Sequence, residues 1–365
     1  MRSYFNILII ALFLAIGTKS TSQNIKHPKY EAAIFEAHRI IDSLQQKQHI
    51  PGIDIAISIN GTMIWSEGFG FADLEHLTPV KSGTTLFRIG SVSKPLTALA
   101  LGKLMEADKL NLDATIQTYV PYFPEKKHPI TVRQIAGHIA GIRHYRNKEY
   151  LLAKKYNTVK SGLTIFENDS LLFAPGDRFS YSSYGFNLLS AAVEGASGNS
   201  FLDFMQQEVY SKLDMTATFA DKNESIILNR SSFYQIDSLN KIQNATYVDN
   251  SYKWAGGGFI STTHDLIKFG NAMIEAQFLS KKTIKELTTS QKLTNGKKTG
   301  YGIGWGIIKK KKLKGFGHNG GSVGGITKFD IYPKEQLVVV ALSNSSNVDY
   351  GDVIDRIVTL FIKTN

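Results

Sequence analysis

Strand-type alternation occupies both ends of this chain and almost none of its middle. Ile53 to Ile59 alternates up to Asn60-Gly61 and resumes from Met63 to Phe71. Asn-Gly between two such runs is a strong hairpin signal, because a two-residue turn that matches strand twist needs positive φ at both positions. Alternation returns after Gly257. Tyr301 to Ile308 leads through a lysine-rich turn to Gly315-Phe316-Gly317-His318, and Ile326 to Tyr332 and Gln336 to Leu342 follow, joined at Pro333-Lys334-Glu335. Between these ends, from about Phe87 to Leu228, the spacing is helical and is punctuated by Pro121, Pro124, Pro129 and Pro175-Gly176. Strands from both ends of a chain can share one sheet only if the intervening segment packs beside it. Apolar residues at helical spacing between Tyr30 and Gln48, stopped by Pro51-Gly52, predict an opening helix, and Asp352 to Lys363 predicts a closing one. The pattern predicts an α+β fold: one antiparallel sheet flanked by N- and C-terminal helices, with a large, mostly α-helical region inserted. The sheet region is expected over about residues 23–86 and 257–365 and the helical region over about 87–256. A cleft between the two is the natural place for a site.

Composition narrows the chemistry. Of 365 residues 42% are hydrophobic, enough to bury a full core. No cysteine occurs, which removes disulfides, thiolate nucleophiles and zinc–thiolate sites, so covalent chemistry must use oxygen or nitrogen. His138, His144 and His264 follow no metal-ligand spacing, and the glycine-rich stretch Gly315 to Gly325 lacks the Gly-Lys-Ser/Thr ending of a phosphate loop. No metal and no cofactor are therefore assigned. The net charge of +11 comes with lysine clusters at Lys281-Lys282, Lys297-Lys298 and Lys309 to Lys312, without interleaved aromatics. They are read as solvated faces, with attraction to an anionic cell-envelope surface as the alternative, and not as a nucleic-acid footprint.

Met1-Arg2-Ser3-Tyr4, an apolar run from Phe5 to Ile16, and small polar residues through Gln23 follow the order of a secretory signal. The apolar run falls short of the roughly 20 residues needed to span a bilayer. A signal peptide is expected over residues 1–22, with a mature start near Gln23. That predicts an exported protein, periplasmic or secreted, with a retained membrane anchor as the alternative.

Ser91-Val92-Ser93-Lys94 follows Phe87-Arg88-Ile89-Gly90 and enters an apolar helical segment, Leu96 to Met105. Three residues apart on a helical turn, Ser91 and Lys94 face the same way. A serine hydroxyl attacks a carbonyl only when a base takes its proton, and a lysine serves as that base when burial disfavours its ammonium form. Taken alone, Ser-x-x-Lys is common, and a helix cap beside a surface lysine gives the same spelling.

Phe173-Ala174-Pro175-Gly176-Asp177-Arg178-Phe179-Ser180-Tyr181-Ser182-Ser183 changes that reading. With Ser91-x-x-Lys94 it resembles the class C β-lactamase and penicillin-binding-protein superfamily, whose second motif is Tyr-x-Asn after a Pro-Gly turn. The resemblance implies a single β-lactamase-like catalytic domain over residues 23–365 and makes Tyr181 the proton-relay partner of Ser91 and Lys94. Ser183 stands where the family has asparagine, which points away from efficient β-lactam hydrolysis. Two stretches compete for the third motif, Lys/His-x-Gly on a strand: Lys298-Thr299-Gly300, in a turn-like region, and His318-Asn319-Gly320-Gly321, between strands. The second is favoured. His318 then orients substrate or tunes Tyr181, the Ser91 and Gly321 amides form the oxyanion hole, and Ser183, Asn319 and Gly320 join the substrate-binding set.

Ile139 to Tyr145 and Tyr247 to Thr262 look like the mitochondrial serine β-lactamase-like branch of that superfamily. This branch is regarded as peptidase-like and filament-forming, which implies self-assembly here. Tyr252 and Trp254 are left as substrate contacts or packing residues. The expected reaction is acyl transfer through an acyl-enzyme on Ser91, on peptide or peptidoglycan-type amides first and on esters or β-lactams second. A noncatalytic scaffold of the same fold is the rival.

Overall fold

The structure, a computed structural model, describes residues 24–310 and 313–365. The signal peptide expected over residues 1–22 and two lysines of the run after Ile308 lie outside the described residues. An eight-stranded antiparallel sheet includes β1 (Ile25–Lys26), β2 (Gly52–Ile59), β3 (Thr62–Asp73), β4 (Gly306–Lys309), β5 (Lys314–Ser322), β6 (Gly325–Tyr332) and β7 (Leu337–Ser343). These run in the order β1-β3-β2-β7-β6-β5-β4, with the short Thr78–Pro79 strand beside β3. The two ends of the chain meet at the centre, where β2 pairs with β7 from Ile53↔Ser343 to Ile59↔Leu337. The expected Asn60-Gly61 turn is present, with φ of 51° and 73°.

The helices that bear on the site are α1 (Glu31–Lys47), α2 (Ser93–Glu106), α3 (Ser183–Ser197), α4 (Thr263–Glu275) and α5 (Val353–Thr364). Side chains alternate across a strand, so β7 sends Leu337, Val339 and Ala341 to one face and Val338, Val340 and Leu342 to the other. The first face packs with α1 and α5, and the second with α4 and the helical region. Both faces of β7 are covered, which explains its unbroken apolar run. Helix α2 is apolar nearly all round and lies at the centre of the helical region, buried from Ser93 through Gly102.

Among the departures from the sequence reading, two are the most informative. Helix α4 falls within the stretch assigned to the sheet region and packs across β2 and β7. The strand expected from Tyr301 begins only at Gly306. Residues 301–305 form a turn instead, closed by the Gly302 N–H to the Trp305 carbonyl and by Gly304 at φ +77°. The alternating glycines that mimic strand periodicity there are turn residues: a Cβ on Gly302 would lie 2.2 Å from the Leu287 carbonyl oxygen.

Candidate active site

Ser91 sits in a 3-10 turn, Gly90–Val92, that runs into α2. Pro95 falls in the first turn of α2, where a missing N–H leaves no intrahelical bond unmade. Gly90 has φ +50°, and a Cβ there would lie 2.6–2.8 Å from backbone atoms of Gly321. That close approach sets the serine turn against β5. Beyond Gly317 strand β4 no longer pairs with β5, so His318 to Ser322 present an edge free of strand pairing. Gly320 faces inward, where a Cβ would strike the Ile89 carbonyl oxygen at 2.0 Å. Gly321 faces open space: the nearest atom to a Cβ there is Ile326 Cδ1, 3.8 Å away. The resulting cleft has a volume of about 670 Å³ and is lined by Ser91, Tyr181, Ser183 and Gly321 among others.

Lys94 is wholly buried. Its Nζ lies 3.1 Å from Ser91 Oγ, 3.1 Å from Ser183 Oγ and 2.6 Å from the Gly256 carbonyl oxygen. Burial, reinforced by the charge of Lys253, holds its pKa well below the ordinary lysine value. Three polar partners without a carboxylate among them suit a neutral amine, which is the form that can accept the serine proton. The run Trp254-Ala255-Gly256-Gly257 is needed locally, since a Cβ on Gly256 would meet the Ser183 carbonyl oxygen at 2.9 Å. Ser183 thus takes up a hydrogen-bonding place beside Lys94, and the exchange for asparagine leaves the amine bonded.

Tyr181 precedes α3, whose N-cap Ser182 accepts from the Gly185 N–H at 3.0 Å and donates to the Arg143 carbonyl at 2.7 Å. The Lys94 Nζ lies 4.8 Å from the Tyr181 ring centroid. Burial raises the Tyr181 phenol above its ordinary pKa, while hydrogen bonds to Ser91 and Ser183 act the other way. Held neutral, the phenol keeps a proton it can donate in a hydrogen bond.

Two histidines that carry no metal-ligand signal hold this segment. The backbone N–H of Ser182 donates to His138 Nδ1 and that of Ser183 donates to His144 Nδ1, each at 3.1 Å. The His138 ring also packs 4.3 Å from the Tyr181 ring. Burial and the charge of Lys94 depress both imidazoles, that of His144 to about 4, which keeps Nδ1 free to accept. Nothing in the spacing of His138 and His144 reveals this use, because it depends on backbone groups some forty residues away.

The remaining expected site residues scatter. His318 lies behind Tyr181, ring centroids 6.1 Å apart, with Nε2 2.8 Å from the Tyr301 hydroxyl. Together with Asn319 it lines a neighbouring pocket and not the wall beside Ser91. Asn319 is exposed and accepts from Lys328 Nζ at 2.9 Å. Lys298-Thr299-Gly300 stays outside the sheet, with the Thr299 side chain bonded to nearby loop carbonyls. Tyr252 and Trp254 are packing residues and not cleft wall: Tyr252 is buried, its hydroxyl donating to the Glu149 carbonyl at 2.9 Å, and Trp254 packs against Gly258. The long stretch that contains them acts through Gly256 and through Lys253, a cleft residue the sequence reading passed over.

Residues 37–360 match the family model described as Beta-lactamase. The human serine beta-lactamase-like protein LACTB, mitochondrial, is 33% identical over an alignment that covers 84% of this chain and 73% of that protein. Penicillin-binding protein 4* of Bacillus subtilis is 26% identical, with 84% and 70% covered. Among solved structures, the octameric penicillin-binding protein homologue from Pyrococcus abyssi superposes with a TM-score of 0.79 at 25% identity, covering 91% of this chain and 78% of that one. With its serine turn, buried lysine and sheet edge, the chain belongs to the beta-lactamase family of serine hydrolases.

Proposed function

We propose that Ser91 forms an acyl-enzyme with amide substrates of peptide or peptidoglycan type. One observation carries this reading: a wholly buried Lys94 whose Nζ lies 3.1 Å from Ser91 Oγ and, among the described residues, has no carboxylate partner to keep it charged. Ser91 Oγ attacks the carbonyl carbon as its proton passes to Lys94 Nζ. The oxyanion is held by the backbone N–H groups of Ser91 and Gly321, donors each worth about 3–4 kcal/mol in comparable sites. As the C–N bond breaks, the proton moves from Lys94 through the Tyr181 hydroxyl to the leaving nitrogen. Water then attacks the ester, giving up its proton along the same path, and Ser91 recovers its own. His318, hydrogen-bonded to Tyr301 behind Tyr181, positions the phenol.

Esters and β-lactams are the second choice on the same machinery. The N-terminal order of charged, apolar and small residues supports export to the periplasm or beyond, and the surface lysines support contact with an anionic envelope. The octameric homologue from Pyrococcus abyssi supports self-assembly.

Labelling with an active-site serine probe tests the reading. One label per chain is expected, lost in Ser91→Ala, and a panel of a D-Ala-D-Ala peptide, L-peptides, a short ester and a chromogenic cephalosporin ranks the substrates. Folded protein that neither labels nor turns over any member of that panel would sink it.

A further inference from the structure

Lys253 ends the short turn Ser251–Lys253 and lines the same cleft as Ser91. It is only 5% exposed, and its Nζ lies 5.2 Å from the Tyr252 ring centroid and 6.0 Å from that of Tyr145. Among the described residues its side-chain amine has no hydrogen-bond acceptor and no ion-pair partner. The nearby acids are already engaged. Asp221 accepts from Arg88 at 2.7 Å and from Asn250 at 2.8 Å, and Asp249 accepts from the Ser251 N–H at 2.8 Å. The cleft wall carries a second lysine, Lys148, at its exposed rim, and among the described residues no Asp or Glu lines it.

A buried cation without a counter-charge is costly unless something completes it. Burial and the charge of Arg88 lower the Lys253 pKa to about 7, Asp221 and Asp249 partly offsetting them. An arriving anion would draw the proton back onto the amine and be held by it.

We infer that Lys253 anchors a carboxylate of the substrate, so that the preferred substrates are amides or esters bearing a negative charge within reach of the scissile carbonyl. This rests on Ser91 being the nucleophile of the same cleft. It assigns Lys253 a recognition role on the helical wall, apart from the sheet edge at Gly321.

A matched pair of substrates tests it: an N-succinyl amino-acid p-nitroanilide and its succinamoyl analogue, in which the carboxylate is a carboxamide. Wild-type protein should favour the anionic member in kcat/KM by at least roughly tenfold, the worth of one buried charge-assisted hydrogen bond. In Lys253→Met that ratio should collapse towards one, whatever the change common to both substrates, and Lys253→Arg should restore most of it. Equal ratios in wild type and Lys253→Met, or no anionic preference in wild type, would overturn the assignment. Calorimetric binding of the same pair to Ser91→Ala separates the two readings. Lys253-dependent preference in binding without turnover by wild type leaves the anchor standing and removes the hydrolase mechanism, whereas turnover without charge preference does the reverse.

Discussion

The two faces of the sheet are packed under different rules. On the face toward α1 and α5, Ile53, Ile55, Ile57 and Ile59 of β2 meet Val339 and Ala341 of β7 and the apolar sides of both helices. The same strand presents Asp54 and Ser58 to the other side. Asp54 there accepts from Ser82 at 2.5 Å, from the Gly83 N–H at 3.0 Å and from Thr263 at 2.8 Å, and Ser58 bonds Asn271 at 2.7 Å. Lys94, Ser183 and the two histidines belong to that second side. Apolar packing is tolerant of sequence and supplies stability, whereas buried polar groups demand specific partners and fix geometry. The candidate catalytic groups therefore lie on one side of the sheet, and the other side can hold the fold without touching them.

The sharpest break of this contrast is Lys94→Met. It keeps the side-chain length and removes the proposed base, so the acylation rate should fall about 10²- to 10⁴-fold while the protein stays folded by circular dichroism. Near-normal acylation would place the proton acceptor elsewhere. On the opposite face, Ile55→Ala should lower the unfolding free energy by about 2–5 kcal/mol, the usual range for such a buried truncation, with the acylation rate of the folded fraction unchanged. A denaturant titration beside a labelling time course measures both, and a matching loss of activity would deny that the two faces are separable.

A further effect concerns pH. Lys253 has a pKa of about 7 in the folded protein against an ordinary 10.5, so between those values the unfolded chain binds a proton that the folded chain lacks. Stability contributed at this position must then rise with pH through that window. Unfolding free energies of wild type minus those of Lys253→Met should climb from about pH 7 to pH 10.5, and a flat difference would mean that the amine keeps its charge on folding.

Much of this arrangement is legible before any fold is seen. The β2–β3 hairpin announces itself in Asn60-Gly61, and α2 in the apolar run after Ser91. Tyr301 to Ile308 misleads because alternating glycines in a turn share the period of a strand. Ser183 looks like a lost function in the motif, yet its hydroxyl bonds Lys94, which no one-letter comparison can weigh. His138, His144 and Lys253 are invisible for another reason: their partners are backbone groups, rings and open cleft, none of which leaves a spacing.

By itself the sequence determined the longer strands and helices at the two ends of the chain and the helix after Ser91, that covalent chemistry rests on oxygen and nitrogen, and that Ser91 and Lys94 share one side of a turn. Those are consequences of local periodicity and composition, which act over a few residues. Only the tertiary structure decided that Gly321 abuts the serine turn, that Gly256 holds the Lys94 amine, and that Lys253 opens into the cleft while Tyr252 and Trp254 do not. The physical reason is that burial and proximity between residues as much as 230 positions apart, as between Ser91 and Gly321, are set by how sheet and helices pack, and packing has no local signature.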